Sequence, residues 1–217
     1  MSKPLYKVIH SPQLSAAENM DKDRALLEAF WEDEIPMFRL YSWEKSVTIG
    51  ASQTFEACMV LDPTLEAYRN HHAKRMTGGG ILYHGHDLSY SLILPLAMMR
   101  GLSVKESYEQ ITGFLLDLYQ DLGLDARWAK DDPSITLESD PFCQAGFEPY
   151  DIIIQGHKIG GNAQKRTKKA IFQHGSVPLR CSEYGMSLED LGVMLSEEEV
   201  RERLKKAFQT RYKTWVS

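Results

Sequence analysis

The sequence lacks any apolar run long enough to cross a membrane. Its most apolar stretch, Ser89 to Met99, is short and contains Pro95. Met1 to Pro12 has no apolar core of the kind that a signal peptide needs. Low-complexity tracts and internal repeats are also lacking. These absences predict a cytoplasmic protein without a membrane partner.

Cysteine is scarce, and the charge balance is not basic. The three cysteines, Cys58, Cys143 and Cys181, cannot all pair internally and do not have zinc-site spacing, so we expect neither a disulfide framework nor a metal site. The formal net charge of −5 argues against a nucleic-acid partner, because phosphate binding normally leaves a basic footprint. At least one thiol is left free to react.

The composition that is present is that of an ordinary globular protein, with 43% hydrophobic and 25% charged residues. A chain of 217 residues is long enough for one domain to bury most of the surface that its unfolded form exposes. No linker-like segment divides the sequence. We therefore expect a single domain over residues 1–217.

Helical periodicity marks four segments, and capping boxes start two of them, at Ser15 with Glu18 and at Ser196 with Glu199. The longest segment has an apolar stripe that we expect to lie on a sheet, and Gly123 ends it. The predicted helices are Ser15 to Glu32, Pro63 to about His72, Val104 to Leu122 and Ser196 to Tyr212.

Short apolar runs between these helices predict strands, and Gly156-His157 has the composition of a two-residue hairpin loop. This order of elements predicts an α+β fold with mixed, mainly antiparallel sheets flanked by helices. The predicted strands are Met37 to Tyr41, Ser46 to Gly50, Ile81 to Tyr83, Leu88 to Leu94, Ser134 to Leu137, Tyr150 to Gln155, Lys158 to Gln164 and Ala170 to Leu179.

Three consecutive glycines, Gly78 to Gly80, follow Arg75 and Thr77 and lead into a predicted strand. Glycine lets backbone amides approach a ligand closely and point at an anion or oxyanion. The same glycines also fit a hairpin or bulge that only needs positive φ. Taken alone, this segment leaves ligand binding and chain reversal both open.

A second glycine-rich segment runs from Asp151 to Gln164 and places Lys158 just after a turn and before Gly160-Gly161. A lysine at this point can stabilise negative charge on a carbonyl or phosphate oxygen. A lysine beside a hairpin is also commonly a solvated charge. The residues of this segment leave both interpretations open.

Together the two segments resemble, in order and spacing, the lipoate-protein ligase and octanoyltransferase family, which shares its fold with biotin protein ligase. The resemblance covers nearly the whole chain and implies the biotin/lipoate protein ligase catalytic-domain fold. His84 also fits a purely structural role as the end of a hairpin. The substrate-binding residues that the resemblance implies are Arg75, Thr77, Gly78, Gly79, Gly80, His84, Gly160, Gly161, Ala163 and His174.

Members of this family are either ATP-dependent ligases or transferases that carry the acyl group on a cysteine. Cys143, fifteen positions before Lys158, lies in a segment that resembles the nucleophile segment of single-domain octanoyltransferases. Asp87 to Ser91 and the lack of an accessory domain also resemble the transferases, whereas Gly80 is closer to the ligase pattern. Without the resemblance, the favoured role for Cys143 is that of a small buried hydrophobe, which is the usual one for an intracellular cysteine.

The transferase resemblance implies a two-step reaction without ATP or another cofactor. Cys143 takes an octanoyl group from acyl carrier protein as a thioester and passes it to a lysine of a lipoyl domain. The implied acceptor is a glycine-cleavage H-type or a dehydrogenase E2-type protein. Lys158 would lower the pKa of the thiol and polarise the carbonyl, so Cys143 and Lys158 are the implied catalytic residues.

Two other functions stay open. In a lipoate ligase, ATP and Mg²⁺ would serve to form lipoyl-AMP, gripped by Arg75, the glycine loop and Lys158, and Cys143 would be incidental. A non-catalytic module would keep the fold and bind an acyl group or a partner without turnover.

Two groups of residues have two interpretations each. The apolar residues around Ile81, Tyr83 and Leu92 either line an acyl tunnel or belong to the core. The basic run after the hairpin is either a docking patch for an acidic acceptor or a solvated turn. That run consists of Lys165, Arg166, Lys168 and Lys169.

Overall fold

The computed structural model describes residues 6–137, 147–180 and 185–215. Its α-helices are Ala16–Asp33 (α1), Phe55–Leu61 (α2), Val104–Asp121 (α3) and Glu197–Trp215 (α4). Its strands are Lys7–His10 (β1), Met37–Ser42 (β2), Ser46–Ile49 (β3), His72–Lys74 (β4), Leu82–His84 (β5), Asp87–Pro95 (β6), Ala126–Trp128 (β7), Ile152–Ile154 (β8), His157–Lys158 (β9), Asn162–Arg166 (β10) and Ala170–Pro178 (β11).

The main sheet has five strands in the order β1-β2-β6-β11-β10. Only the β1–β2 pair in this sheet is parallel, and β6 pairs with β11 along nine residues. Strand β6 alternates, so that Tyr90 and Leu92 face α3 and α4 while Ser89 and Ser91 face the opposite side. The expected α+β class with mainly antiparallel sheets is confirmed.

The apolar stripe of α3 lies on this sheet as predicted. Phe114 of α3 packs against Phe38 of β2 and Phe208 of α4, with the Phe38 and Phe208 rings stacked at a centroid distance of 4.0 Å. The opposite face of the sheet is covered by α1, whose Phe30 clusters with Ile93 and other buried residues. The sheet is therefore sandwiched between helices. Among the described residues, no helix is long and apolar enough to span a membrane.

The capping boxes predicted the starts of two helices correctly. The Ser15 hydroxyl accepts from the Glu18 amide, and the Glu18 carboxylate accepts from the Ser15 amide. Ser196 and Glu199 make the same pair of bonds before α4. Helix α3 begins in the same way at Ser103. These signals succeed because they depend on bonds within one turn of the chain.

Two three-stranded sheets complete the fold, in the orders β4-β3-β5 and β7-β8-β9. The hairpin loop between β8 and β9 is Gln155-Gly156, since Ile154 pairs with His157, and the predicted loop Gly156-His157 is wrong by one position. Gln155 and Gly156 have φ values of 52° and 79°. Two consecutive residues of positive φ are typical of the type I′ turn that closes such hairpins.

Three other predicted segments differ from the structure. Pro63–Tyr68 is a 3-10 helix, and His72 already belongs to β4. The predicted strand Lys158 to Gln164 is split at Gly160, where φ is 68° and a side chain would overlap the carbonyl oxygen of Ser176. The predicted strand Ser134 to Leu137 begins in a turn instead, because the Asp132 carboxylate accepts from the Ser134 amide at 2.9 Å.

Candidate active site

A narrow cavity of about 20 Å³ lies between the main sheet and the β4-β3-β5 sheet. Both glycine-rich segments contribute to it, although they are far apart in sequence. Strands β5, β10 and β11 carry most of the contributing residues, and Arg75 directly follows β4. The predicted site residues that line the cavity are Arg75, His84, Gly161, Ala163 and His174.

Arg75 is buried and braces the glycine loop. Its Nη2 donates to the carbonyl oxygen of Gly80 at 2.7 Å and to that of Gly78 at 3.3 Å. Its Nη1 donates to the backbone and side-chain oxygens of Thr48, at 3.0 and 2.9 Å. Gly79 lies so close to Gly50 that a side chain on Gly50 would overlap the Gly79 carbonyl. Arg75 thus fixes the loop's shape, while a direct contact with substrate remains a prediction.

His84 is held on both ring nitrogens and on one ring face. Nδ1 lies 3.0 Å from a carboxylate oxygen of Asp87, and Nε2 lies 2.8 Å from the Thr48 hydroxyl. Because the ionised carboxylate of Asp87 can only accept, Nδ1 carries a ring proton and donates it to Asp87. The indole of Trp43 stacks on the ring at 3.9 Å. His84 is therefore an oriented wall of the cavity.

Asp87 anchors this group of side chains. Burial raises the pKa of Asp87, but His84, His86 and the hydroxyl of Ser89 together outweigh that effect and leave the pKa below its ordinary value. Ser89 in turn accepts a hydrogen bond of 2.9 Å from the indole N–H of Trp43. The carboxylate therefore fixes both the histidine and, through Ser89, the tryptophan that stacks on it.

His174 lies across the cavity and joins the two glycine-rich segments. Its Nε2 lies 2.7 Å from the Thr77 hydroxyl, next to the glycine loop. Burial, with smaller contributions from Arg75 and His84, lowers the pKa of His174 to about 3. The imidazole therefore stays neutral near pH 7 and acts on Thr77 as a hydrogen-bond partner rather than as a cation.

A fully buried ion pair lies behind the cavity and was not found from the sequence. Asp23 of α1 accepts from Arg39 of β2 at 2.8 Å and from the Ser91 hydroxyl at 2.7 Å. Both cavity residues next to it, Tyr41 and His174, approach the same carboxylate, at 3.4 and 3.9 Å. Burial raises the pKa of Asp23 even though Arg39 opposes the shift.

Replacing Asp23 with alanine is expected to lower the free energy of unfolding by about 3–5 kcal/mol, because Arg39 would keep its buried charge without a partner. Urea unfolding followed by circular dichroism measures the change. Asp21→Ala on the exposed side of α1 is the matched control, with an expected change within about 0.5 kcal/mol. A loss below about 1 kcal/mol for Asp23→Ala would show that water reaches the pair.

The remaining predicted residues among those that the structure describes lie at or near this cavity, except Lys158. Thr77 touches His174, while Gly78, Gly79 and Gly80 form the braced loop and Gly160 packs on Ser176. Lys158 is not among the residues that line the cavity. Its Nζ instead lies 2.7 Å from Asp151, and both side chains are only 7% exposed.

Asp151 holds Lys158 from within the same hairpin region. Burial raises the pKa of Asp151, while the neighbouring Lys158 opposes that shift. The Asp151 carboxylate also accepts from the Glu148 amide at 2.8 Å, which fixes its position. Two residues after Lys158, Gly160 turns the chain so that Gly161 reaches the cavity. Lys158 is thus held in place by Asp151, three residues before Gly161 lines the cavity.

The predicted nucleophile Cys143 lies outside the described residues, as does Cys181. Cys58 is buried in the core of the β4-β3-β5 sheet, where burial raises the pKa of its thiol. A buried thiol with a raised pKa is a poor nucleophile. The described cysteine is therefore a packing residue.

The suggested tunnel residues belong to the core instead. Ile81 and Tyr83 pack in the small-sheet cluster, and Leu92 packs in the main cluster. Strand alternation places Leu82, between the first two, at the cavity opposite Tyr41. A volume of about 20 Å³ holds about one water molecule. A larger ligand therefore requires side chains such as Leu82 to move.

Sequence reasoning missed the aromatic wall of the cavity. Tyr41 and Trp43 both line it, and the Arg39 guanidinium lies 3.9 Å from the centre of the Tyr41 ring. One signal was present, since an arginine inside the apolar run Met37 to Tyr41 calls for a buried partner. The partner itself, Asp23, lies in a different predicted element, so the sequence does not indicate which acid it is.

Among the described residues, no cluster of histidine, cysteine and acidic side chains is arranged to hold a metal ion.

Comparisons with known proteins agree with the geometry. Residues 15–211 match the family model for the lipoyl protein ligase A/B catalytic domain. The octanoyltransferase LipM of Bacillus cereus is 33% identical over 97% of this chain and 77% of its own length. A bi-partite lipoate protein ligase from Thermoplasma acidophilum matches with a TM-score of 0.68 and 19% identity, covering 96% of this chain and 84% of its own. Lipoate-protein ligase A bound with ATP matches with a TM-score of 0.70 and 20% identity, covering 96% of this chain and 86% of its own. The expected fold is confirmed.

Proposed function

Because the chain belongs to the lipoyl protein ligase A/B catalytic-domain family, we propose that it is an octanoyltransferase that delivers an octanoyl group to a lysine of a lipoyl-carrier domain. The observation that carries the choice of reaction is 33% identity to an octanoyltransferase over 97% of the chain. The cavity between the two sheets is the proposed acyl site. The proposed catalytic domain spans residues 1–217.

The proposed donor is an octanoyl thioester on acyl carrier protein, and the proposed nucleophile is Cys143. Its thiolate attacks the thioester carbonyl, the carbonyl–sulfur bond to the donor breaks, and the donor leaves as a thiol after taking up a proton. Because one thioester replaces another, the step is nearly balanced in free energy. ATP and other cofactors are therefore not required.

The second step transfers the acyl group from Cys143 to the acceptor lysine. The deprotonated amine attacks the acyl-enzyme carbonyl, an amide bond forms, the bond to the cysteine sulfur breaks, and the sulfur takes up the proton that nitrogen loses. The proposed acceptors are lipoyl domains of the glycine-cleavage H type or the dehydrogenase E2 type. Donor and acceptor bind in turn, so the enzyme holds one carrier protein at a time. The proposed location of the reaction is the cytoplasm.

Lys158 is the proposed source of positive charge for both steps. Its ion pair with Asp151 is almost removed from solvent, and charges act more strongly where water is excluded. A cation beside the thiol favours the thiolate, and the same cation stabilises the oxyanion of each tetrahedral intermediate. Asp151 orders the ammonium before substrate arrives, which reduces the reorganisation that each step needs.

The cavity residues are proposed to hold the acyl group rather than to react. The neutral His174 and the oriented His84 form fixed walls whose hydrogen bonds are already made within the protein, and the Arg75 guanidinium keeps the glycine loop in place. The apolar faces of Leu82 and Tyr41 suit a hydrocarbon chain. The site thus combines an apolar slot with a few fixed polar groups, as small-molecule sites usually do.

The function is tested by incubating the pure protein with octanoyl acyl carrier protein and a lipoyl-domain acceptor in the absence of ATP. Mass spectrometry of the acceptor is expected to show one added octanoyl group on its lysine. A parallel reaction supplies free octanoate or lipoate with ATP and Mg²⁺. Modification only in that second reaction would identify a ligase, and modification in neither, with acyl binding intact, would identify a non-catalytic module.

A further inference from the structure

A second pocket, of about 510 Å³, opens at one end of the main sheet. It lies where β6 ends and where the turn between β10 and β11 passes over the segment that leads into α3. Its floor includes apolar side chains such as Leu96. The charged residues that line it are Arg100, Arg166, Lys168, Lys169 and Glu34.

The charge of this pocket opposes that of the whole chain. Four cations and one carboxylate line it, whereas the sequence has a formal net charge of −5. The carboxylate of Glu34 pairs with Lys169 at 3.2 Å on the exposed rim. The ion pairs of the described residues do not include Arg100, Arg166 or Lys168. The pocket therefore keeps most of its positive charge available to a partner.

Arg166 is ordered by neutral groups. Its Nε donates to the side-chain oxygen of Gln164 at 3.1 Å, and its Nη2 donates to the hydroxyl of Ser107 in α3. Neither partner cancels the guanidinium charge. An ordered cation whose charge is not neutralised loses less side-chain entropy when it binds an anionic surface.

Strand β10 connects this pocket to the acyl cavity. Ala163 lines the cavity, and Arg166, three residues later, lines the pocket. At about 3.3 Å per residue the two positions are about 10 Å apart. Lys165 is exposed and lies on the same face of β10 as Ala163, whereas Arg166 lies on the opposite face, toward α3. Strand β10 is an edge strand, so this path lies at the rim of the main sheet.

The separation favours the acyl donor over the acceptor as the occupant. The acceptor lysine must bring its own short side chain into the cavity, so the acceptor has to dock at the cavity mouth. A donor that presents its acyl thioester on a long flexible arm can dock at a distance and still deliver the group. A basic surface beside the site is complementary to a carrier with an acidic face.

We infer that the basic pocket lined by Arg100, Arg166, Lys168 and Lys169 docks an acidic face of the acyl-carrier donor and so determines the preference for a protein-bound thioester. This inference rests on the proposed transferase function and assigns that function's donor a binding surface. Charges at the rim of a binding surface act mainly on the rate of encounter and on affinity. The pocket is therefore expected to affect KM for the carrier and not kcat.

The test uses the double variant Arg100→Glu/Lys168→Glu and two donors, octanoyl acyl carrier protein and the small thioester octanoyl-pantetheine. At low salt we expect KM for the carrier donor to rise at least about tenfold with kcat within about twofold of wild type, an effect of about 1.4 kcal/mol. KM for the small thioester stays unchanged, and added salt reduces the difference between the proteins.

The matched control is Arg203→Glu/Lys206→Glu, which makes the same charge change at exposed positions of α4. The inference is wrong if KM for the carrier stays within about twofold of wild type, if the α4 variant raises it equally, or if KM for the acceptor rises instead. If the reversal variant does not fold, Arg100→Gln/Lys168→Gln is used, with an expected rise of about threefold. Absence of turnover by wild type with both donors would instead contradict the proposed function.

Discussion

Replacing Cys143 with alanine is expected to lower octanoyl transfer at least about 10⁴-fold, because an enzyme that works through a covalent intermediate loses its nucleophile. The remaining rate would come from binding alone, with the acceptor lysine attacking the donor thioester directly. Initial rates of acceptor modification, measured with octanoyl acyl carrier protein at saturation, give the ratio of kcat values.

The other two thiols provide the comparison for this variant. Cys181→Ala removes a cysteine with no proposed role and is expected to keep kcat within about twofold. Cys58→Ala removes a buried thiol from the small-sheet core, so it is expected to reduce stability rather than the chemical step. If Cys143→Ala retained a tenth of the wild-type rate, the covalent mechanism would be wrong and the ligase alternative would gain weight.

Replacing Lys158 with methionine is expected to lower kcat by about 10²–10³-fold, the usual effect of removing one group that stabilises an oxyanion. The same change removes the cation that is proposed to stabilise the Cys143 thiolate, so the pH profile of the acylation step is expected to move to higher pH. Single-turnover acylation measured from pH 6 to pH 9 separates these two effects.

The buried ion pair complicates the single variant and suggests its control. Lys158→Met leaves Asp151 buried without its cation, which is expected to destabilise the fold. The double variant Lys158→Met/Asp151→Asn removes both charges, so its stability is expected to recover while kcat stays low. Recovery of activity in the double variant would mean that Lys158 serves the fold alone.

Local signals in the sequence were sufficient to predict many of the helices and strands. The capping boxes at Ser15 and Ser196 located α1 and α4 because their bonds lie within a single turn. The long buried strand β6 was visible as an apolar run. Helix α2 was missed because seven residues give too short a pattern, and β1 was missed because its position is defined by pairing with β2.

The candidate site shows the same division between local and distant information. The resemblance of two glycine-rich segments named Arg75, His84, Gly161, Ala163 and His174, and the structure brings these five together around one cavity. The Asp23–Arg39 pair could not be assigned, because its partners meet only after α1 packs across β2 and β6. Pairs between distant elements depend on topology rather than on sequence spacing.

The covalent step is the centre of the proposed function, and the mass of the intact enzyme tests it most directly. The protein is mixed with octanoyl acyl carrier protein, without ATP and without acceptor, and weighed after a short incubation. The account predicts one added octanoyl group on Cys143 that hydroxylamine removes and that the lipoyl-domain acceptor also discharges. An enzyme that stays unmodified while the complete reaction still octanoylates the acceptor would contradict it.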